Sequence, residues 1–199
     1  MATNRWMERD APKGALYDQR FEDLAASGAD VHGEAALVHS YDPVSVLDAG
    51  CGTGRVAIEL DRRGHHVVGV DSDPGMLEVA RRKAPQLSWM EGDLADEQLA
   101  LGRQFDVVVM AGNVLIFTSP GTEEKVVSNM AGHLIAGGRL IAGYSLRPGG
   151  FSVTTHDELA ARAGLILEDR WSTWDRGPFD QESTYAVSVH QRAREPAIG

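Results

Sequence analysis

The order of apolar and helical stretches predicts an α/β fold: a doubly wound, mostly parallel seven-stranded sheet with helices on both faces and an antiparallel hairpin at its carboxyl end. Three observations carry this expectation. Five short strand-like runs, at 44–48, 66–70, 87–91, 105–110 and 139–144, alternate with helix-like segments. Two further strand-like runs, at 165–173 and 183–191, then follow one another with no helix between them. Finally, a glycine-rich stretch stands where the first strand should turn into the next helix.

Taken in order, the first 43 residues read as amphipathic helix in pieces. Tyr17, Phe21 and Leu24 recur at helical spacing, a break falls near 27–30, and a second short helix covers Gly33–His39 before Asp42-Pro43 stops it. We treat 1–43 as a helical lid or substrate segment, 44–192 as the main domain and 193–199 as a flexible tail. Within the domain, helices are expected at 55–63, 74–83, 95–101 (a short piece), 123–133 and 157–163. Asp73 followed by Pro74 is the signature of a cap with proline at the first helical position. Thr154 or Thr155 would cap the last helix. The connector 174–182 holds Asp175, Gly177, Pro178 and Asp180, which is turn chemistry suited to closing a hairpin.

With 199 residues the chain can bury a core without staples. Its single cysteine, Cys51, allows no internal disulfide and fits a reducing compartment. A formal net charge of −10 opposes a protein that grips nucleic acid by its phosphates. The densest basic clusters, Arg62-Arg63 and Arg81-Arg82-Lys83, fall late in expected helices, where cations complement the dipole. No apolar run reaches the roughly 20 residues of a membrane span. Residues 1–13 are polar, unlike a signal peptide, so a cytoplasmic location is expected.

The sharpest segment is Val46-Leu47-Asp48-Ala49-Gly50-Cys51-Gly52-Thr53-Gly54. Glycines there let the backbone turn tightly and approach a ligand, and the helix that follows offers unpaired N–H groups to an anionic group. A dinucleotide fingerprint would place glycines at 50, 52 and 55. Here they stand at 50, 52 and 54, with Arg55 following and Asp48 preceding. Asp71 closes the second strand, 21 residues after Gly50, and Glu91-Gly92-Asp93-Leu94 closes the third. Ligands of such sheets sit beyond the carboxyl ends of the strands, near the reversal in strand order, and all three acids are expected at that edge.

These motifs resemble those of the class I, Rossmann-like S-adenosylmethionine-dependent methyltransferases, over about three-quarters of the chain. The resemblance implies S-adenosyl-L-methionine as cofactor. Asp48 and the loop of Gly50, Cys51, Gly52 and Gly54 would hold its methionine end. Asp71, with Ser72 beside it, would bind the ribose, Met76 would pack on the adenine, and Asp93 with the backbone of Leu94 would read the adenine edge. Phe105-Asp106-Val107-Val108-Val109-Met110 resembles the family's fourth strand, so Ala111 would pass beside the sulfonium. Tyr17, with Arg20 and Phe21, would belong to a lid. Cys51 is read as a packed residue, not a nucleophile.

The loop after the fourth strand reads Ala111-Gly112-Asn113-Val114-Leu115 and lacks the Pro-Pro-aromatic run of members that methylate nucleobase amino groups. Metal-dependent catechol-type members carry a carboxylate near Asn113, so no metal is expected. His156 is the first candidate for a general base toward an acceptor. Tyr144 and Arg147 are candidates to orient it. Trp171, Trp174 and Phe179 offer a stacking wall or core filling. His32 and His39 stay open, whereas the neighbours His65 and His66 are not read as ligands. The expected activity is methylation of a small-molecule or saccharide acceptor, with a hydroxyl favoured. N- or C-methylation, or a non-catalytic cofactor-binding subunit, stand as alternatives. No nucleic-acid or membrane partner is expected, and a homodimer is left open.

Overall fold

The structure is a computed structural model that describes residues 30–194, together with 19, 23 and 26–28. The expectations for Tyr17, Arg20, Phe21 and the tail 195–199 lie outside the described residues. Its elements run α1 (Gly33–His39), β1 (Ser45–Ala49), α2 (Arg55–Arg62), β2 (His66–Asp71), α3 (Pro74–Lys83), β3 (Ser88–Glu91) and β4 (Phe105–Met110). They continue with α4 (Val114–Phe117), α5 (Glu123–Gly132), β5 (Leu134–Ser145), α6 (Val153–Arg162), β6 (Leu165–Trp171) and β7 (Tyr185–Arg192).

The seven strands form one sheet in the order β3-β2-β1-β4-β5-β7-β6. The first five pair in parallel, and β7 runs antiparallel between β5 and β6. The chain therefore winds outward from β1 in one direction, returns to β4 and winds outward in the other. The switch lies between β1 and β4.

Alternation along the central strands divides the core. Leu47, Val108 and Leu140 face α5 and α6, joined by Val126, Met130 and Leu159. Val46, Val107, Val109 and Ile141 face α1 and α2, joined by Val38, Val56, Ala57 and Leu60. Burying a side chain such as the fully enclosed Leu60 contributes about 1.5–3 kcal/mol. The cap of α3 is as expected: the Asp73 carboxylate accepts from the N–H groups of Gly75 (2.9 Å) and Met76 (3.3 Å), with Pro74 at the helix start.

Three local expectations are corrected. Residues 95–101 form turns, not a helix, because Asp93 accepts from Ala95 N–H and Asp96 from Gln98 N–H, each at 2.9 Å. The Asn129 amide reaches across from α5 to the carbonyls of Leu94 and Asp96 and holds this turn. β5 starts at Leu134, with its register against β4 shifting between Phe105 and Val107. The helix α6 begins at Val153, capped by the Ser152 hydroxyl, which accepts from Thr155 N–H at 3.0 Å. No helix of the described residues is long and apolar enough to cross a membrane.

Candidate functional site

A cleft with an empty volume of about 850 Å3, counted to its open mouth, lies over the carboxyl ends of β1, β2, β3 and β4. Asp48, Gly50, Cys51, Gly52, Asp71, Ser72, Met76, Asp93, Leu94 and Ala111 all line it. Residues scattered over some sixty positions of sequence thus meet at the switch point, where open α/β sheets bind ligands.

The glycine loop follows β1 directly. The N–H groups of Gly50 and Cys51 both donate to the Val70 carbonyl of β2, which turns the chain sharply back on the sheet. Gly50 has φ +79°, and a Cβ there would lie 2.5 Å from Cγ2 of Val114 at the start of α4. Only a glycine lets the loops after β1 and β4 approach this closely. Gly54 is a correction to the expected cofactor set. It is the N-cap of α2 at φ +82°, and the Trp89 ring occupies the space its side chain would fill, at 2.5 Å. It does not line the cleft among the described residues, so its glycine serves the turn and the seat of Trp89.

Asp48 is 1% exposed and accepts from Ala57 N–H at 3.0 Å in the first turn of α2. Burial pushes its carboxyl up to about 7. Asp71 accepts from Gly52 N–H at 2.8 Å and from Asp73 N–H at 2.9 Å, which ties the end of β2 to the glycine loop. Burial raises its carboxyl as well. Two acids facing one cleft, both shifted by burial, form a site suited to cationic or hydroxyl-rich groups. The Cys51 thiol is held neutral, raised well above its usual range by burial and by Asp48, which agrees with a packed residue.

Sequence reasoning missed Arg55, Val56, Gly92, Gly112, Val114, Phe117 and Thr118, which complete the lining. The first is the most informative. Arg55 donates to both carboxylate oxygens of Glu34 (2.9 and 2.5 Å) and to the Val31 carbonyl, fastening α2 to the start of α1. The glycine-Arg junction was visible in the sequence, but its partner 21 residues upstream was not. Val114, Phe117 and Thr118 belong to or follow α4, whose four residues are too few for a periodic signal.

The candidate acceptor residues His156 and Tyr144 are corrected. Both are 0% exposed, and neither lines the cleft. Because α6 begins at Val153, His156 falls on its inward face. Its Nδ1 stands 3.1 Å from the Tyr144 hydroxyl, and its ring lies 4.5 Å from that of His190. Burial depresses the His156 imidazole to about 3 and raises the Tyr144 phenol to about 12. Below them Asp157 accepts from His190 Nε2 (2.9 Å) and from both terminal nitrogens of Arg170 (3.1 and 2.5 Å). This is a polar cluster that locks α6 to the hairpin.

Arg147 is exposed in the turn after β5. His39 and His65 meet at the opposite end of the sheet. The His65 Nδ1–H donates to the Pro43 carbonyl (2.6 Å), leaving its Nε2 to accept from His39 Nδ1 at 2.8 Å. His32 lies 4.0 Å from Glu59 of α2, away from the cleft lining. Asn113, at φ +72°, uses its side-chain oxygen to accept from Ser145 N–H (2.7 Å), while its own N–H donates to the Gly143 carbonyl (3.1 Å). Trp171 and Trp174 pack on the α1–α2 side of the core, and Phe179 packs on the other side.

Similarity to known proteins fits this geometry. Residues 46–138 match the model of a methyltransferase domain. The chain is 37% identical to a TehB-like S-adenosylmethionine-dependent methyltransferase of Corynebacterium glutamicum, with a TM-score of 0.82 over 90% of this chain and 96% of that one. It is 42% identical over 80 residues to a magnesium-protoporphyrin O-methyltransferase of Rhodobacter capsulatus (38% of this chain, 34% of the relative). It is 34% identical over 134 residues to a dTDP-3-amino-3,4,6-trideoxy-α-D-glucopyranose N,N-dimethyltransferase of Streptomyces venezuelae (63% and 52%). The chain spans about half or less of the length of these curated relatives. The glycine loop, the strand-end acids and a structural match over nine-tenths of the chain agree: the chain belongs to the class I S-adenosylmethionine-dependent methyltransferases.

Proposed function

We propose that the chain transfers the methyl group of S-adenosylmethionine to a small-molecule acceptor, and that this acceptor is an amine, an amino sugar first among the candidates. The observation that carries the cofactor part is the meeting of Asp48, Asp71 and Asp93 around one cleft with the glycine loop. In this reading Asp48, through its buried carboxylate, and the backbone of Gly50 and Gly52 hold the methionine end. Asp71 and Ser72 take the ribose hydroxyls, Met76 packs on the adenine, and Asp93 with Leu94 binds its edge. Ala111 and Gly112 pass beside the sulfonium.

The sulfonium is already activated, so the protein's task is to hold an acceptor lone pair in line with the methyl carbon and exclude water. A hydroxyl acceptor profits from a base, worth about 10²–10⁴-fold. The candidates for that base, His156 and Tyr144, are enclosed in the core. This placement favours a neutral amine, which brings its own lone pair. Nitrogen attacks the methyl carbon, the S–C bond breaks with its electron pair left on sulfur, and the resulting ammonium loses a proton to solvent. The amino-sugar N,N-dimethyltransferase among the relatives supports the same class. A hydroxyl acceptor is the second reading, favoured by the O-methyltransferase relative.

The test is calorimetry with S-adenosylhomocysteine and with NADH, followed by transfer of tritiated methyl to three acceptors: dTDP-3-amino-3,4,6-trideoxyglucose, D-glucosamine and 3,4-dihydroxybenzoate. Micromolar binding of the first ligand alone and labelling of the amines are expected. Binding of NADH alone would overturn the cofactor reading. Labelling of the catechol alone would move the acceptor atom to oxygen.

A further inference from the structure

The cleft lining includes Ala111 and Gly112 after β4, and what stands next to that strand end on the sheet is set by the neighbouring strand. The β4–β5 register pairs Met110 with Ala142, so one step further Ala111 comes level with Gly143. The Asn113 N–H bond to the Gly143 carbonyl fixes the two strand ends together at that point. Gly143 has no side chain, and the space a Cβ would take is filled by two aromatic side chains from the hairpin. The Trp174 ring lies 2.2 Å and the Tyr185 hydroxyl 2.6 Å from that position. The Trp174 Cβ also approaches Gly33 at the start of α1, 3.3 Å from where its Cβ would stand. Both aromatics pack on the same face of the sheet as Ala111. Both are half-buried.

We propose that Trp174 and Tyr185 form the acceptor-side wall of the methyl-transfer site, the indole stacking on the ring of the acceptor and the phenol hydroxyl hydrogen-bonding a polar substituent on it. This rests on the methyl-transfer reading above and adds which residues select the acceptor. The chemistry follows from the two groups. An indole face takes up the C–H face of a hexose or an aromatic ring, and the phenol hydroxyl can donate to or accept from a sugar hydroxyl or amine. The position follows from the register: the pair stands beside the strand end that passes the sulfonium, so an acceptor laid against it points a substituent toward the cleft. The pair comes from the segment after β6, outside the region shared by the glycine loop and the strand-end acids. Cofactor binding and acceptor choice are thereby carried by different parts of the chain.

The experiment is calorimetry and steady-state kinetics on the full chain, comparing wild type with Tyr185→Phe and Trp174→Leu. Protein saturated with S-adenosylhomocysteine is titrated with D-glucosamine, dTDP-3-amino-3,4,6-trideoxyglucose and 3,4-dihydroxybenzoate. At least one of these binds wild type and loses 10-fold or more in affinity in both variants, with KM rising accordingly, while affinity for S-adenosylhomocysteine stays within about 2-fold. Tyr185→Phe removes one oxygen and keeps the ring, so it reports on the wall even if Trp174→Leu loosens α1 and fails to fold. Equal acceptor affinity in wild type and Tyr185→Phe would overturn the proposal, as would the absence of binding by all three probes. Failure of wild type to bind S-adenosylhomocysteine would instead remove the cofactor reading on which the proposal stands.

Discussion

Replacing Asp48 by asparagine should make the empty protein more stable while impairing its site. The carboxyl is fully buried, accepts a hydrogen bond from Ala57 N–H, and is raised from about 3.8 to about 7 chiefly by burial. A raised acid binds its proton more tightly in the folded than in the unfolded chain, so it costs stability as pH climbs through the window from about 3.8 to about 7. At about 1.36 kcal/mol per unit, the raised carboxyl costs on the order of 4 kcal/mol at pH 8, where the folded chain must ionise it, and under about 2 kcal/mol at pH 5, where only the unfolded chain does. Asparagine keeps an oxygen for Ala57 N–H and carries no charge. Urea unfolding of Asp48→Asn should therefore show a gain over wild type that is larger at pH 8 than at pH 5 by about 2–3 kcal/mol. Calorimetry at pH 8 should show weaker binding of S-adenosylmethionine, whose ammonium and sulfonium lose a counter-charge. A stability gain equal at both pH values, or none, would refute the claim that this carboxylate is strained by burial.

Asp71→Ala removes the carboxylate assigned to the ribose, and hydrogen bonds to a charged group are worth about 1.5–3 kcal/mol, so S-adenosylhomocysteine affinity should fall at least 10-fold by calorimetry. Gly50→Ala forces a side chain into φ +79° and against Val114, and should cost about 2–4 kcal/mol in chemical denaturation. Adding Val114→Ala should restore the part due to the clash; a double variant no more stable than the single one would refute the contact. The buried His156, depressed to about 3, stays neutral while the unfolded chain takes up a proton below about 6.5, so it costs stability as pH falls through that window. In His156→Phe the slope of unfolding free energy against pH between 4.5 and 5.5 should drop by up to about 1.4 kcal/mol per unit, and an unchanged slope would show His156 to be protonated in the native state.

The sheet and the cofactor-side acids were legible because each is written in contiguous sequence. Alternating strand and helix periods mark the winding, and an acid at three successive strand ends can only converge if the strands are parallel neighbours. Residues 95–101 read as a short helix, whereas Asp93, Asp96 and a distant Asn129 decide the backbone and make turns of them. His156 was misplaced for a related reason. The helix starts four residues before the expected 157, at the Ser152 cap, so the histidine lies within it on the buried face. Gly54 looked like a ligand contact because a glycine is silent about what fills the space it leaves, here the ring of Trp89 on another strand. Side chains whose partners lie far along the chain, such as Arg55 with Glu34, carry no local signature.

That ion pair has a thermodynamic consequence. Arg55 is the first residue of α2, directly after the glycine turn, and its guanidinium clamps the carboxylate and a carbonyl at the entrance to α1. The seating of the glycine loop and the packing of α1 on α2 are therefore joined through one side chain. A ligand that orders the glycine loop should therefore strengthen the seat of α1, and loosening Glu34 from Arg55 should weaken that ligand by the same coupling free energy.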